Sequence, residues 1–252
     1  MTDRDEQEQD WIGGMHAVTM ALTQGRRVRR VRVARGTADG RTRALLDAAA
    51  AAGVTVEHCD RAALDRLLPD VRHQGCAAEI EGTRIIRESA LPALLSAVSQ
   101  PWVLALDQVQ DPHNLGACLR SAAAAGVSAV IAPRKRAAGL TRAARKVAAG
   151  GAELVPFVPV SNLVRAIDRL KSDGFWAIGL AGEAGESLYS AALPEPIVWV
   201  AGGEAGGLRS LTAEHCDRLV SIPMAPAMES LNVSVATSLA LFETVRRRSA
   251  IA

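Results

Sequence analysis

The stretch PWVLALDQVQDPHNLGACLRSAAAAGVSAVIA, residues 101–132, decides the fold class. Pro101 opens an apolar strand from Trp102 to Leu106. Asp111-Pro112 then turns the chain, and Asn114 is a natural N-cap for a helix running to Ala125. Gly126 stops that helix, and a second apolar strand, Val127 to Ala132, follows at once. Two short apolar strands joined through a helix cannot pair as a hairpin. They predict parallel neighbours in a sheet with helices on both faces, an α/β architecture.

The same alternation extends outward. Downstream, strands are expected at Glu153–Val158, Phe175–Leu180, Ile197–Ala201 and Leu219–Ile222. Helices are expected at Thr141–Ala149, Ser161–Ser172, Thr212–Asp217 and Leu231–Arg248. Upstream, the apolar period predicts a helix from Ile12 to Leu22, a strand from Val28 to Val33 and an alanine-rich helix from Ala44 to Ala52. A strand from Val54 to Glu57, a helix capped by Asp60 and ended by Pro69, and a strand from Cys76 to Glu81 complete a small α/β unit. The expected organisation is an acidic, disordered tail over residues 1–10, a small domain over 11–88, a helical linker over 89–100 and a larger domain over 101–252.

Composition excludes several classes. No apolar run is long enough to span a bilayer, and the polar segment Met1 to Asp10 does not read as a secretory signal. Cys59, Cys76, Cys118 and Cys216 are scattered, unlike a disulfide framework or zinc ribbon, and suit free thiols in a reducing cytoplasm. The cluster Glu214-His215-Cys216-Asp217 has ligand-type side chains without metal-ligand spacing, so no metal is expected. The formal net charge is only +2, but it is unevenly spread. Arg26, Arg27, Arg29, Arg30, Arg32 and Arg35 fall within ten positions without an acid. Arg134-Lys135-Arg136 and Arg246-Arg247-Arg248 form two further clusters. Such runs suit a polyanion such as RNA, or simply a solvated surface.

Three segments depart from ordinary strand–helix punctuation, each just after an expected strand, where open α/β sheets gather ligands. The first is residues 107–120, carrying Asn114, Gly116 and Arg120. The second is AGGEAGGL, residues 201–208, whose glycines bare the backbone amides while Glu204 interrupts them. It is neither a dinucleotide fingerprint nor a phosphate-binding loop, since no lysine follows Gly207. The third is residues 222–236, where Pro223 and Pro226 stiffen a loop and Ser230, Asn232 and Ser234 enter an otherwise apolar helix. Ser230 is the expected N-cap there. Two weaker candidates are His113 and the turn His73-Gln74-Gly75, which suits either RNA contact or a plain turn.

Taken together, DPHNLGACLRSA (111–122), GGEAGGL (202–208) and SLNVSVA (230–236) resemble the three motifs of the SpoU (TrmH) branch of the SPOUT methyltransferases. IGGMHAV (12–18) and HQG (73–75) extend the resemblance to the small N-terminal domain. Gly151 departs from the pattern, standing where alanine is common. The resemblance implies a trefoil-knotted C-terminal domain, an N-terminal RNA-binding domain of ribosomal-protein (L30e-like) type, and a homodimer. It implies methyl transfer from S-adenosylmethionine to the 2′-hydroxyl of a guanosine ribose in large-subunit (23S) ribosomal RNA. Carried onto matching positions, Asn114, Arg120, Glu204, Ser230 and Asn232 would form the catalytic neighbourhood. Gly202, Gly203, Ile222, Leu231 and Ser234 would hold the cofactor, and Arg26, Arg27, Arg29 and Arg30 would grip RNA. The alternatives are the same chemistry on tRNA, a non-catalytic RNA-binding assembly factor, and a nicotinamide-dependent oxidoreductase, the last disfavoured by the missing fingerprint.

Overall fold

The computed structural model describes residues 10–23, 28–36, 39–69, 71–80, 85–203 and 206–251. The chain divides into two compact units, Met1–Arg84 and Ile85–Ala252. Arg26 and Arg27 of the arginine run, and the expected acidic tail up to Gln9, lie outside the described residues.

The first unit is a four-stranded sheet. Its strands are β1 (Asp10–Gly13), β2 (Val28–Ala34), β3 (Thr55–Cys59) and β4 (Cys76–Ile80), in the order β1-β4-β2-β3. β2 and β3 are parallel, whereas β4 runs antiparallel to both β1 and β2. Alternation along the strands builds two cores. Val31, Val33, Cys76 and Ala78 face the helices α1 (Met15–Thr23) and α2 (Gly40–Ala51). Ala34 and Ala77 face the other way, packing with Leu64 and Leu68 in and beyond α3 (Arg61–Leu67).

The helix expected from Ile12 is a strand first and a helix afterwards. Trp11 and Ile12 pair with Glu79 and Ala78 of β4, and Gly14, at φ +105°, turns the chain into α1. Apolar residues at this spacing satisfy either period, and the pairing partner chose the strand. Gln74 also departs from the ordinary, at φ +54°. Its side chain accepts a hydrogen bond from the Met15 amide at the start of α1. His73 is buried, with Nε2 2.8 Å from Asp65 and Nδ1 accepting from the Gly75 amide. His73-Gln74-Gly75 is thus a structural turn.

The second unit opens with a 3₁₀ turn (Glu88–Ala90) and α4 (Leu91–Ser96), shorter than the expected linker helix. Its sheet contains β5 (Val103–Asp107), β6 (Ala129–Pro133), β7 (Phe157–Val160), β8 (Trp176–Leu180), β9 (Ile197–Gly202) and β10 (Arg218–Val220). The order is β10-β8-β9-β5-β6-β7, and every pair is parallel. The helices are α5 (Pro112–Ala125), α6 (Arg142–Ala148), α7 (Gly151–Leu154), α8 (Leu163–Ser172), α9 (Ser210–Glu214) and α10 (Val233–Ile251).

Both sheet faces are covered. Leu104, Leu106 and Trp199 pack with Leu115 and Leu119 of α5 and Leu241 of α10. Val103, Ala105 and Val200 pack with Ile167 and Leu170 of α8. Each fully buried side chain of this size contributes about 1.5–3 kcal/mol. Trp199 also donates its indole N–H to Thr244 Oγ1 at 2.9 Å, pinning α10 to the sheet. The strand expected from Glu153 begins only at Phe157. Glu153 and Leu154 belong instead to α7, which packs on α5. Gly151 explains its own presence there, since a Cβ would stand 2.7 Å from the Arg120 Cα.

Candidate active site

Six parallel strands bring their carboxyl ends to one edge, so the loops after β5, β8, β9 and β10 meet there. The first element is the loop from β5 into α5. Asp111, not Asn114, caps α5, accepting the His113 amide at 2.9 Å. Pro112 follows at the first helical position, where its fixed φ and missing N–H cost nothing. Asn114 therefore lies inside the first turn with its side chain released from capping. The expected N-cap role of Asn114 thus passes to Asp111.

The last helix, too, is capped by a residue other than the one expected. α10 starts at Val233, and Asn232 rather than Ser230 serves its amino end, with Oδ1 accepting the Ser234 amide at 2.9 Å and the Ser234 hydroxyl at 2.6 Å. Ser230 is exposed, outside the helix. The remaining half of the Asn232 amide does something else: Nδ2 donates to Asn114 Oδ1 at 3.0 Å. Two side chains 118 positions apart are thereby locked together across the first and third segments. A further ladder backs them. Ser238 donates to the Ser234 carbonyl at 2.6 Å, and its hydroxyl lies 2.7 Å from that of Ser121. Ser121 adjoins Arg120, which is exposed and, among the described residues, held by no ion pair.

The glycine-rich loop closes the site from β9. Gly202 stands in register with Asp107 of β5. A Cβ on Gly202 would fall 2.0 Å from the Gly207 carbonyl carbon, and one on Gly203 would fall 2.3 Å from the Gln108 oxygen. Only glycine allows the loop to fold this tightly against itself and against the end of β5. Glu204 lies outside the described residues. Gly116 has a packing role: its missing Cβ makes room for the Ala144 carbonyl of α6.

One functional pair was missed by sequence reasoning. Asp107, fully buried, accepts hydrogen bonds from both the backbone amide and the side chain of Arg209. Its signal was a carboxylate ending an otherwise apolar strand. Burying that charge is tolerable only because the guanidinium meets it. Arg209, immediately beyond the glycine loop, is thus committed to fixing the loop.

Ile222 packs half-buried on the larger core, and Leu231 is half-buried beside Asn232. The Glu229 carbonyl stands 4.0 Å from where a Gly182 Cβ would be, so the loop after β8 meets that after β10.

His113 is exposed, bonded to Asp111 through its backbone amide, whereas the cluster over residues 214–217 is structural. His215 Nδ1 is 2.6 Å from Asp168, Asp217 pairs with Lys171 at 2.8 Å and accepts the Ala177 amide, and Cys216 donates to the Thr212 carbonyl. Among the described residues no cluster of three His, Cys, Asp or Glu side chains could hold a metal ion. None of the four cysteines is in a disulfide. Burial pushes the thiols of Cys76 and Cys216 up to about 11 and about 12, so neither is a ready nucleophile.

Residues 101–242 match the family described as SpoU rRNA methylase. The chain belongs to the SpoU family. Residues 11–85 match the domain described as RNA 2′-O ribose methyltransferase substrate binding. The SpoU chain is 48% identical to the 23S rRNA (guanosine-2′-O-)-methyltransferase RlmB of Photorhabdus laumondii, covering 94% of this chain and 98% of that one. It is 46% identical to the RlmB of Escherichia coli K12, covering 95% and 99%. Among solved structures, it resembles the SpoU methyltransferase AviRb of Streptomyces viridochromogenes in complex with AdoMet, with a TM-score of 0.77 at 22% identity, over 98% of this chain and 95% of that one. The TrmH/SpoU tRNA-modifying enzyme of A. aeolicus superposes over 64% of this chain and 84% of its own, with a TM-score of 0.54 at 27% identity. In this SpoU chain all three motifs meet at the same sheet edge. No helix among the described residues is long and apolar enough to cross a membrane.

Proposed function

We propose that the protein transfers a methyl group from S-adenosylmethionine to the 2′-hydroxyl of a guanosine ribose in 23S ribosomal RNA. The observation that carries this reading is the Asn232–Asn114 hydrogen bond, which joins the first and third motifs beside an exposed arginine. The near-full-length likeness to two RlmB proteins favours ribosomal RNA and guanosine. The tRNA-modifying relative superposes over only 64% of this chain, which weighs against tRNA.

The cofactor supplies a methyl group already activated on a sulfonium. Gly202, Gly203, Ile222 and Leu231 would hold it through backbone groups and apolar contact, with the second unit knotted as a trefoil around that cradle. Ser234 acts through Asn232, to which its hydroxyl is committed. A ribose hydroxyl is a poor nucleophile, so the protein must align it and ease its proton away. Arg120 binds the target phosphate and lowers the hydroxyl's pKa by its fixed positive charge. It does not take the proton, because a guanidinium stays protonated at any ordinary pH; the hydroxyl proton would pass to water, with S-adenosylhomocysteine as the other product. Asn114, oriented by Asn232, positions the hydroxyl, and Glu204 and Ser230 complete the neighbourhood.

The first unit, from residue 11 to Arg84 rather than to the expected 88, forms the substrate-binding domain, an RNA grip of L30e-like type, with positive potential from Arg26, Arg27, Arg29 and Arg30. Arg29 is exposed on β2. The Arg30 guanidinium is shared with Glu57 and Glu79, and Arg32 pairs with Glu57 and lies 4.9 Å from the Trp11 ring centroid, so these two mainly stiffen the sheet. The protein works as a cytoplasmic homodimer. Support comes from α10, where Val235 and Phe242 stand about half exposed and line an open apolar hollow of ≈ 530 Å³ with Tyr189.

Calorimetry with S-adenosylhomocysteine and NAD, followed by methyl transfer to large-subunit rRNA, tests this function. Binding of the first ligand alone and methylation of the RNA are expected. Absence of S-adenosylhomocysteine binding contradicts it.

A further inference from the structure

The face of the second unit carrying α8 holds an open groove of ≈ 1100 Å³ that the site above does not use. Arg87, Arg134, Arg165 and Arg169 line it, with Ser161 between them. All four arginines are exposed. Arg134 is loosely tethered, 3.2 Å from the Pro159 carbonyl and 4.0 Å from Glu88. Among the described residues, no ion pair holds the guanidinium of Arg87, Arg165 or Arg169.

The carboxylates nearby are largely occupied. Glu88 accepts the Ser161 amide at 2.8 Å and its hydroxyl at 3.4 Å, and Asp168 is 2.6 Å from His215. Asp173 stands at the carboxyl end of α8, at the foot of the groove. The arginine spacing is itself informative. Leu163, Ala166, Ile167 and Leu170 bury the inner face of α8. Arg165 and Arg169 then fall at i and i+4 on the outer face, where residues at that spacing are neighbours and both reach the groove.

The groove lies on the α8 face of the sheet, opposite α5, and reaches the edge that carries the site. Arg134 follows β6 and Ser161 follows β7, at the same carboxyl edge where β5 delivers Asn114. Strands lie about 4.8 Å apart, so two strand spacings separate the end of β5 from that of β7. The lining holds no aromatic side chain on which a base could stack, while guanidinium and hydroxyl groups are what nucleic-acid backbones engage.

We propose that this groove binds the phosphate backbone of the RNA substrate on one side of the target nucleotide, without reading its sequence. The inference rests on the proposed RNA methylation and adds a second contact surface, on the catalytic unit itself. The test uses the full-length triple variant Arg87→Gln/Arg165→Gln/Arg169→Gln and the matching triple lysine variant. Affinity for a large-subunit rRNA fragment is measured over a range of salt concentrations, with S-adenosylhomocysteine binding as the control for an intact cofactor site. Each lost phosphate contact lowers the slope of log affinity against log salt by about 0.7–0.9. The expected result is a slope smaller by about 2 in the glutamine variant, near-normal in the lysine variant, with S-adenosylhomocysteine affinity unchanged in both. Wild-type slope in the glutamine variant overturns the groove, as does a uniform affinity loss without slope change, whether or not the groove meets an acidic protein instead. If the wild-type chain itself neither binds nor methylates the RNA, the proposed function fails and the groove with it.

Discussion

The buried Asp107 carboxylate at the end of β5 is held by Arg209, whose Nε and Nη2 lie 2.8 and 2.7 Å from Oδ1 and whose amide reaches Oδ2 at 3.2 Å. This pair ties the loop following β9 to the strand that leads to Asn114. Removing one partner of a buried, hydrogen-bonded pair costs about 3–5 kcal/mol, less here because Arg209 is partly exposed. Asp107→Asn is expected to lower Tm by roughly 5–10 °C and to weaken S-adenosylhomocysteine binding about tenfold. Unchanged binding by calorimetry would show that the pair does not shape the cofactor loop.

Asn114→Ala and Asn232→Ala should separate alignment from cofactor binding. Misplacing the nucleophile costs on the order of 10²-fold in rate. Both variants are expected to lose about that much in kcat while binding S-adenosylhomocysteine within about threefold of wild type. Since the two side chains share one hydrogen bond, the double variant should be little worse than either single one. Fully additive losses in single-turnover assays would break the link between them.

Gly202→Ala should fail outright at the cofactor step. The added Cβ meets backbone, not a flexible side chain, 2.0 Å away. The expected outcome is a folded chain, by far-UV circular dichroism, without measurable S-adenosylhomocysteine binding. Retained binding would mean that the loop has another conformation open to it.

Stability should fall in acid through Glu243. Hydrogen bonds from Arg246, and from Arg247 at 2.6 Å, hold its buried carboxyl down to about 2 from the ordinary 4.5. Arg247 in turn donates to the carbonyls of Leu188, Tyr189 and Ala191, so the cluster anchors α10 to the segment before β9. A depressed carboxyl stabilises the fold above its unfolded pKa, and that stability is lost as pH falls from about 4.5 toward 2. Glu243→Gln is expected to cost on the order of 2–3 kcal/mol at neutral pH. Its Tm should converge on wild type as the pH approaches 2. A constant gap from neutral pH to acid would contradict this assignment.

Much of the second unit was legible because buried parallel strands write themselves as short apolar runs, and Gly126 and Thr141 mark helix ends where the structure has them. Boundaries failed where a local signal had a stronger neighbour. Asp111 beside Pro112 outcompeted Asn114 as a cap, and Asn232 outcompeted Ser230. Strand β1 was hidden because its identity depends on β4, more than sixty positions away. The motif residues Asn114, Gly202 and Asn232 stood out in sequence, but their mutual contact did not. Neither did the Asp107–Arg209 pair, since an ion pair spanning 102 positions leaves no local pattern. The arginine run read as one RNA patch, yet Arg30 and Arg32 answer to Glu57 and Glu79 across the sheet.

The central claim is tested most directly by nucleoside mass spectrometry of 23S rRNA and tRNA after incubation with the protein and labelled S-adenosylmethionine, both RNAs coming from cells lacking their own ribose methylation. The account predicts labelled 2′-O-methylguanosine in the 23S rRNA and none in the tRNA. Label confined to tRNA, or on a base rather than a ribose, would contradict it.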